Sequence, residues 1–154
     1  MDIVRHDTLK YNIMEYSIKH LFHINTSLSK VYEAISTIEG LSNWWTIQTK
    51  GNTALNETIQ FDFGGTKGPT MKVIKLEPAK EIVWQCIASP HGWKDHIYTF
   101  SLDKNEGKTR VQFSHSGWKE SNDFYAHCNF TWGRYLESLR QYCETGRGAA
   151  SGSE

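Results

Sequence analysis

The chain has 154 residues, the size of one ordinary domain, enough to bury roughly two thirds of the surface its unfolded form exposes. Seventeen Lys and Arg balance seventeen Asp and Glu, so the chain lacks the excess of positive charge that carries nucleic-acid affinity, and no nucleic-acid partner is expected. No stretch approaches the ~20 apolar residues of a membrane span, so no span is expected either.

Residues 1–14 are polar, with Asp2, Arg5, His6, Asp7 and Lys10, and hold no apolar signal core. They are expected to be an N-terminal extension. Cys86, Cys128 and Cys143 are odd in number, far apart and without a C-x-x-C pair, which points to reduced thiols and a cytoplasmic protein. Six Trp among 13% aromatic residues supply large rings, which suit a fold that encloses a cavity.

From Glu15 to Ile24 the residues alternate, with Ile18, His20, Phe22 and Ile24 on one face, as in a half-buried strand. Thr26 or Ser27 offers an N-cap, and Leu28, Val31, Ala34, Ile35 and Ile38 recur at helical spacing until Gly40 ends the helix. A further turn delivers Trp44 and Trp45; adjacent rings cannot share a helix face, so one is expected to point away from the core. Thr58 to Phe63 alternates again, before a glycine-rich loop from Gly64 to Pro69 that reads as a hairpin or lid. Strands are predicted at Met71–Leu76, Ile82–Ala88, Trp93–Leu102 and Thr109–His115, joined by turns short enough for antiparallel pairing. A helix of about 23 residues, near 35 Å long, is predicted from Ser121 or Asn122 to Glu144, stopped by Gly146. The domain is expected over 15–146. The tail, 147–154, has no apolar residue larger than Ala and is expected to be disordered.

Certain residues carry a family likeness: Val31-Tyr32-x-Ala34-Ile35, Trp44-Trp45, Leu76-x-Pro78 with Ile82-x-Trp84, the run from Thr109 to Trp118, and Trp132 with Leu136, Leu139 and Tyr142. In this pattern and element order the chain resembles the START-like SRPBCC superfamily, and within it the bacterial family named after activators of the heat-shock protein 90 ATPase. The resemblance implies an α+β helix-grip fold, a curved antiparallel sheet wrapped around a long C-terminal helix with two short helices after the first strand. It also implies a cavity between sheet and helix. Members often place Gly just before the Trp of the last helix; here Asn129, Phe130 and Thr131 precede Trp132, which is expected to narrow the cavity there.

Given that fold, alternation names the side chains expected to line the cavity. They are Phe61, Phe63, Met71, Val73, Trp84, Cys86, His96, Tyr98, Phe100, Val111, Phe113 and His115 from strands, with Tyr125, Cys128, Trp132 and Leu136 from the helix. His20, His96 and His115 share apolar faces, and His20 and His115 are expected to be neighbours. Burial should lower all three pKa values, and replacement by Phe should leave stability equal or improved. H-x-E, H-E-x-x-H, C-x-x-C and G-x-S-x-G are missing from the sequence, so no metal, cofactor or catalytic nucleophile is assigned. Three functions remain open. The first is binding of a small hydrophobic or amphipathic molecule without catalysis. The second is a cyclase or aromatase-like enzyme using cavity His and Tyr. The third is a co-chaperone role with a chaperone partner, which the family name suggests.

Overall fold

A computed structural model describes residues 15–154; the N-terminal extension expected over 1–14 lies outside the described residues. In chain order the elements are β1 (Tyr16–Ile24), α1 (Leu28–Ser36), α2 (Ile38–Trp44), β2 (Gln48–Gly51), β3 (Thr58–Asp62) and β4 (Thr70–Glu77). β5 (Glu81–Ala88), β6 (Ile97–Asn105), β7 (Lys108–Trp118) and α3 (Asp123–Thr145) follow. The strands form one antiparallel sheet in the order β1-β7-β6-β5-β4-β3-β2, with the long helix α3 against it: the helix-grip fold.

Short hairpins impose the meander from β2 to β7, whereas β1 joins it across the whole chain, Ile18 opposite His115 and His20 opposite Phe113. His20 is therefore offset from His115 along the sheet rather than paired with it. Alternation is obeyed closely: Ile59 and Phe61, Met71 and Val73, and Ile82, Trp84 and Cys86 all point inward and are buried. The strand β2 escaped the periodicity because Thr49 is its one buried residue and no apolar alternation marks it.

The helical segment after β1 differs from expectation. Thr37 ends α1 in extended conformation and caps α2 by accepting from Gly40 N at 2.9 Å, so Gly40 lies inside the second helix instead of ending the first. A Cβ on Gly40 would stand 2.5 Å from the Ala34 carbonyl oxygen, and only glycine permits this close crossing of the two helices. Trp44 fastens the same crossing by donating Nε1–H to the Ala34 carbonyl at 2.9 Å. Both Trp44 and Trp45 are buried, contrary to the expectation that one would turn outward. Trp45 closes the helix by donating its backbone N–H to the Leu41 carbonyl at 3.0 Å, and its ring lies nearly parallel to that of Trp44, with centroids 6.1 Å apart.

Asn122 caps α3 by accepting from Tyr125 N at 3.1 Å, and the Gly146 N–H closes it onto the Tyr142 carbonyl at 2.8 Å. The chain beyond does not drift into solvent. Ala149 N donates to Ser138 Oγ at 2.7 Å, Ser151 N donates to the Trp45 carbonyl at 2.9 Å, and Ile47 N donates to the Ser151 carbonyl at 3.1 Å. Ala150 is buried beneath this bridge. The disordered tail expected over 147–154 is thus corrected: its small residues, which suggested disorder, allow the backbone to approach closely. At Gly148 a Cβ would meet the Asn43 carbonyl oxygen at 2.4 Å.

Candidate functional site

An apolar recess of about 260 Å³ opens at one end of the space between sheet and α3. Its floor and walls are the rings of Trp45, Phe63, Trp93, Trp132 and Tyr135, with Cys128 and Thr131 from α3. The rim comes from the β3–β4 loop (Thr66, Lys67, Gly68, Pro69), the β5–β6 loop (Ser89, His91) and the first turns of α3 (Phe124, His127). Trp93 reaches this position because the expected strand start at Trp93 is a loop. Asp95 takes a left-handed φ of 71°, its N–H donates to the Cys86 carbonyl at 2.7 Å, and β6 begins only at Ile97.

Deeper in, the same space is filled. Phe61, Met71, Val73, Trp84, Cys86, Tyr98, Phe100, Val111, Phe113 and Leu136 are each no more than 2% exposed and belong to one continuous core. Trp45 is the hub of the fill, with ring centroids 4.3 Å from Phe61, 5.0 Å from Trp132, 5.6 Å from Phe63 and 6.1 Å from Trp84. Rings this close, in tilted and edge-on contact, leave little room between them. Of the side chains expected to line a cavity, Phe63, Cys128 and Trp132 meet at the recess and the others except Tyr125 pack behind it. Tyr125 lies elsewhere: its hydroxyl donates to the Ser17 carbonyl at 3.2 Å and its ring sits edge-on to Trp118. Of the triplet before Trp132, only Thr131 faces the recess, while Asn129 bonds His20 at 2.9 Å and Phe130 is exposed.

Behind the recess lies a chain of buried polar groups. Trp132 Nε1–H donates to His115 Nδ1 at 3.0 Å, and His115 Nε2 meets His96 Nδ1 at 2.9 Å. An indole N–H can only donate, so His115 accepts at Nδ1 and carries its proton on Nε2, donating it to His96 Nδ1. A proton added to His115 would oppose the Trp132 N–H; one added to His96 would set two donors against each other across 2.9 Å. The arrangement holds both rings neutral. Burial, with His96 alongside, pushes His115 down to about 2. Burial also lowers His96; nearby Lys119 adds to the effect, while Asp95 and Glu15 oppose it.

His20, expected with this pair, is instead half-buried at the sheet edge against α3. The Tyr98 ring lies 4.1 Å from that of His115, and its buried hydroxyl has no hydrogen-bond partner; burial raises its pKa well above the ordinary value. Burial also raises the thiols of Cys86 and Cys128 to about 11 and Cys143 to about 12, so all three free cysteines are poor nucleophiles.

Sequence reasoning missed Trp93, Tyr135 and the rim. The available signals were the adjacent pair Trp44-Trp45, which marked an unusual ring position, and the glycine-rich loop whose far end, Thr66 to Pro69, becomes rim.

Comparison with known proteins bears on the whole domain. The family model described as Activator of Hsp90 ATPase homolog 1-like protein matches residues 25–144. The Aha1 dimer from Colwellia psychrerythraea, solved in solution, is 39% identical, with a TM-score of 0.79 over 86% of this chain and 99% of that one. A crystal structure from Staphylococcus saprophyticus is 17% identical (TM-score 0.72; 88% of this chain, 97% of that one). The solution structure of CalU16 from Micromonospora echinospora is 15% identical (TM-score 0.71; 86% and 69%), and these two likenesses concern the fold alone. No curated protein matches the chain. With the family model matching residues 25–144, from the approach to α1 through α3, and a counterpart 39% identical over 86% of the chain, the chain belongs to the Activator of Hsp90 ATPase homolog 1-like family.

Proposed function

We propose that this protein binds a small apolar or amphipathic molecule in the recess between α3 and the β3–β4 and β5–β6 loops, without chemistry of its own. The observation that carries this reading is a recess of about 260 Å³ floored by the rings of Trp45, Trp93 and Trp132 at one end of an otherwise filled interior. Concave apolar sites with few polar groups are the usual form of small-ligand pockets. The polar chain supports binding over catalysis: Trp132 and His96 occupy both nitrogens of His115, which leaves it no free lone pair to serve as a base. Three buried free thiols fit the reducing cytoplasm.

Native mass spectrometry of the purified protein beside a Thr131→Trp variant tests the reading. Thr131 is half-buried on the recess wall, so a large ring there fills the recess with little cost to the core. A small-molecule adduct kept by the parent and lost by the variant is the expected result. An adduct retained equally by both would sink the proposal.

A second reading draws on the Colwellia counterpart, whose solution structure is that of a dimer. Self-association or contact with a chaperone would use exposed apolar side chains such as Phe130 on α3. Light scattering across a concentration series decides it, a monomer mass at every concentration ruling out the self-associated form.

A further inference from the structure

Lys67 is the one formally charged side chain among the described residues that line the recess. Lys67, His91 and His127 are the titratable side chains at its mouth other than Tyr135 and Cys128, and neither Asp nor Glu lines it. Lys67 is exposed and forms no ion pair within 4.0 Å among the described residues. The carboxylate whose field reaches it, Asp62, is already engaged: its Oδ1 accepts from Gln60 Nε2 at 2.8 Å and from Gly68 N at 3.1 Å. An ammonium without a direct ion-pair partner on a rim loop, with no carboxylate in the lining, puts one positive charge at the mouth over a floor of indole rings.

We infer that the ligand is a flat apolar body carrying a single anionic group, such as an aromatic carboxylate, its ring on Trp93 and its charge at Lys67. The inference rests on the recess being a binding site and specifies what it takes. An apolar cavity of about 150 Å³ holds benzene, so about 260 Å³ suits a body of roughly two fused rings. Trp93 stacks over the buried Trp132, with centroids 6.3 Å apart and planes 15° from parallel, so the half-buried Trp93 ring is held flat and offers such a body a face. The anion remains at the exposed mouth beside Lys67, so binding avoids burying a charge. A cationic ligand of the same shape would meet the Lys67 ammonium there and no carboxylate in the lining.

Isothermal titration calorimetry with three probes of one shape tests this: 2-naphthoate, its neutral isostere 2-naphthamide, and 2-naphthylmethylammonium. The expected order of affinity is naphthoate, amide, ammonium, with about a fivefold step between the first two at low salt that narrows at high salt, as for an exposed ion pair. The Lys67→Glu substitution, on an exposed loop where folding is not at stake, should invert the order while leaving the amide unchanged. Equal binding of naphthoate and amide, or an unaltered order in Lys67→Glu, overturns the anionic assignment and leaves the recess as a neutral apolar site. If none of the three binds, the anionic assignment and the recess as a ligand site fall together.

Discussion

The two ends of the space between sheet and α3 are built from the same kinds of side chain and behave oppositely. At the closed end, Trp84, Phe100 and Phe113 rise from the middle of three adjacent strands, and the sheet pairing places their rings in mutual contact. At the open end, Trp93, Phe63 and Trp132 sit where β3 and β5 have given way to loops, and no strand residue completes the layer. An inward-pointing aromatic residue is therefore no sign of a cavity. The space survives where the regular ladder stops.

Substitution at the two ends should separate these roles. Trp84→Ala at the closed end is expected to cost about 3 to 5 kcal/mol in a denaturant melt, the usual price of removing a large ring from a filled core. Trp93→Ala at the open end, where the ring is half-buried, should cost about 1 kcal/mol and abolish ligand binding. Equal costs would dissolve the distinction.

His115→Phe tests the boundary between the ends. The sequence suggested that Phe would be neutral or better there, but the hydrogen bonds reverse that expectation, because Phe would leave the buried Trp132 N–H and His96 Nδ1 unpaired. A loss of about 2 to 4 kcal/mol is expected by the same melt. An unchanged midpoint would mean that the chain of bonds contributes nothing.

The same group sets an acid limit. The folded pKa of His115, about 2, lies below its ordinary 6.5, so the unfolded chain takes up the proton first. Stability is then whole above about pH 6.5 and falls as pH drops, by up to about 1.4 kcal/mol per pH unit for this one group, until the folded value is reached. Melts from pH 7 to pH 4 measure the slope. In His115→Phe that component should vanish.

Removing residues after Gly146 should lower the melting temperature by several degrees. The cut deletes the Ser151 bridge to the Trp45–Ile47 segment and the buried Ala150, and it should weaken ligand binding because Trp45 floors the recess. Unchanged melting and binding would show that the tail does not brace that segment. The smallest effect is expected for Phe130→Ser, within about 0.5 kcal/mol, since that ring touches solvent rather than either end of the interior. A differential scan suffices to check it.

Element order apart from β2, the inward faces of the strands and both ends of α3 were legible in the sequence, because each rests on a local pattern: alternation, three-and-four spacing, Asn122 as cap and Gly146 as stop. The assignment of His96 and His115 to apolar faces was equally local. Their bonding was not, since the partners of His115 are 17 residues away on a helix and 19 away in the loop just before β6, and only the β6–β7 register and the seat of α3 bring the three together. Gly40 misled because a glycine late in a helical pattern reads as a stop, whereas here it answers to the Ala34 carbonyl of another helix. The tail misled for a related reason, since backbone hydrogen bonds to Trp45 and Ile47 leave no apolar signature.

The sequence by itself determined which side chains turn inward, because periodicity within a strand or helix fixes which face meets apolar surroundings, while the helix-grip fold was read from the family resemblance. Only the tertiary structure decided which of those side chains fill the interior and which border open space. A recess is the small difference between the volume enclosed by distant segments and the volume of the rings they contribute. Here that difference depends on where β6 starts, how Trp45 leaves α2 and how the tail returns to hold it.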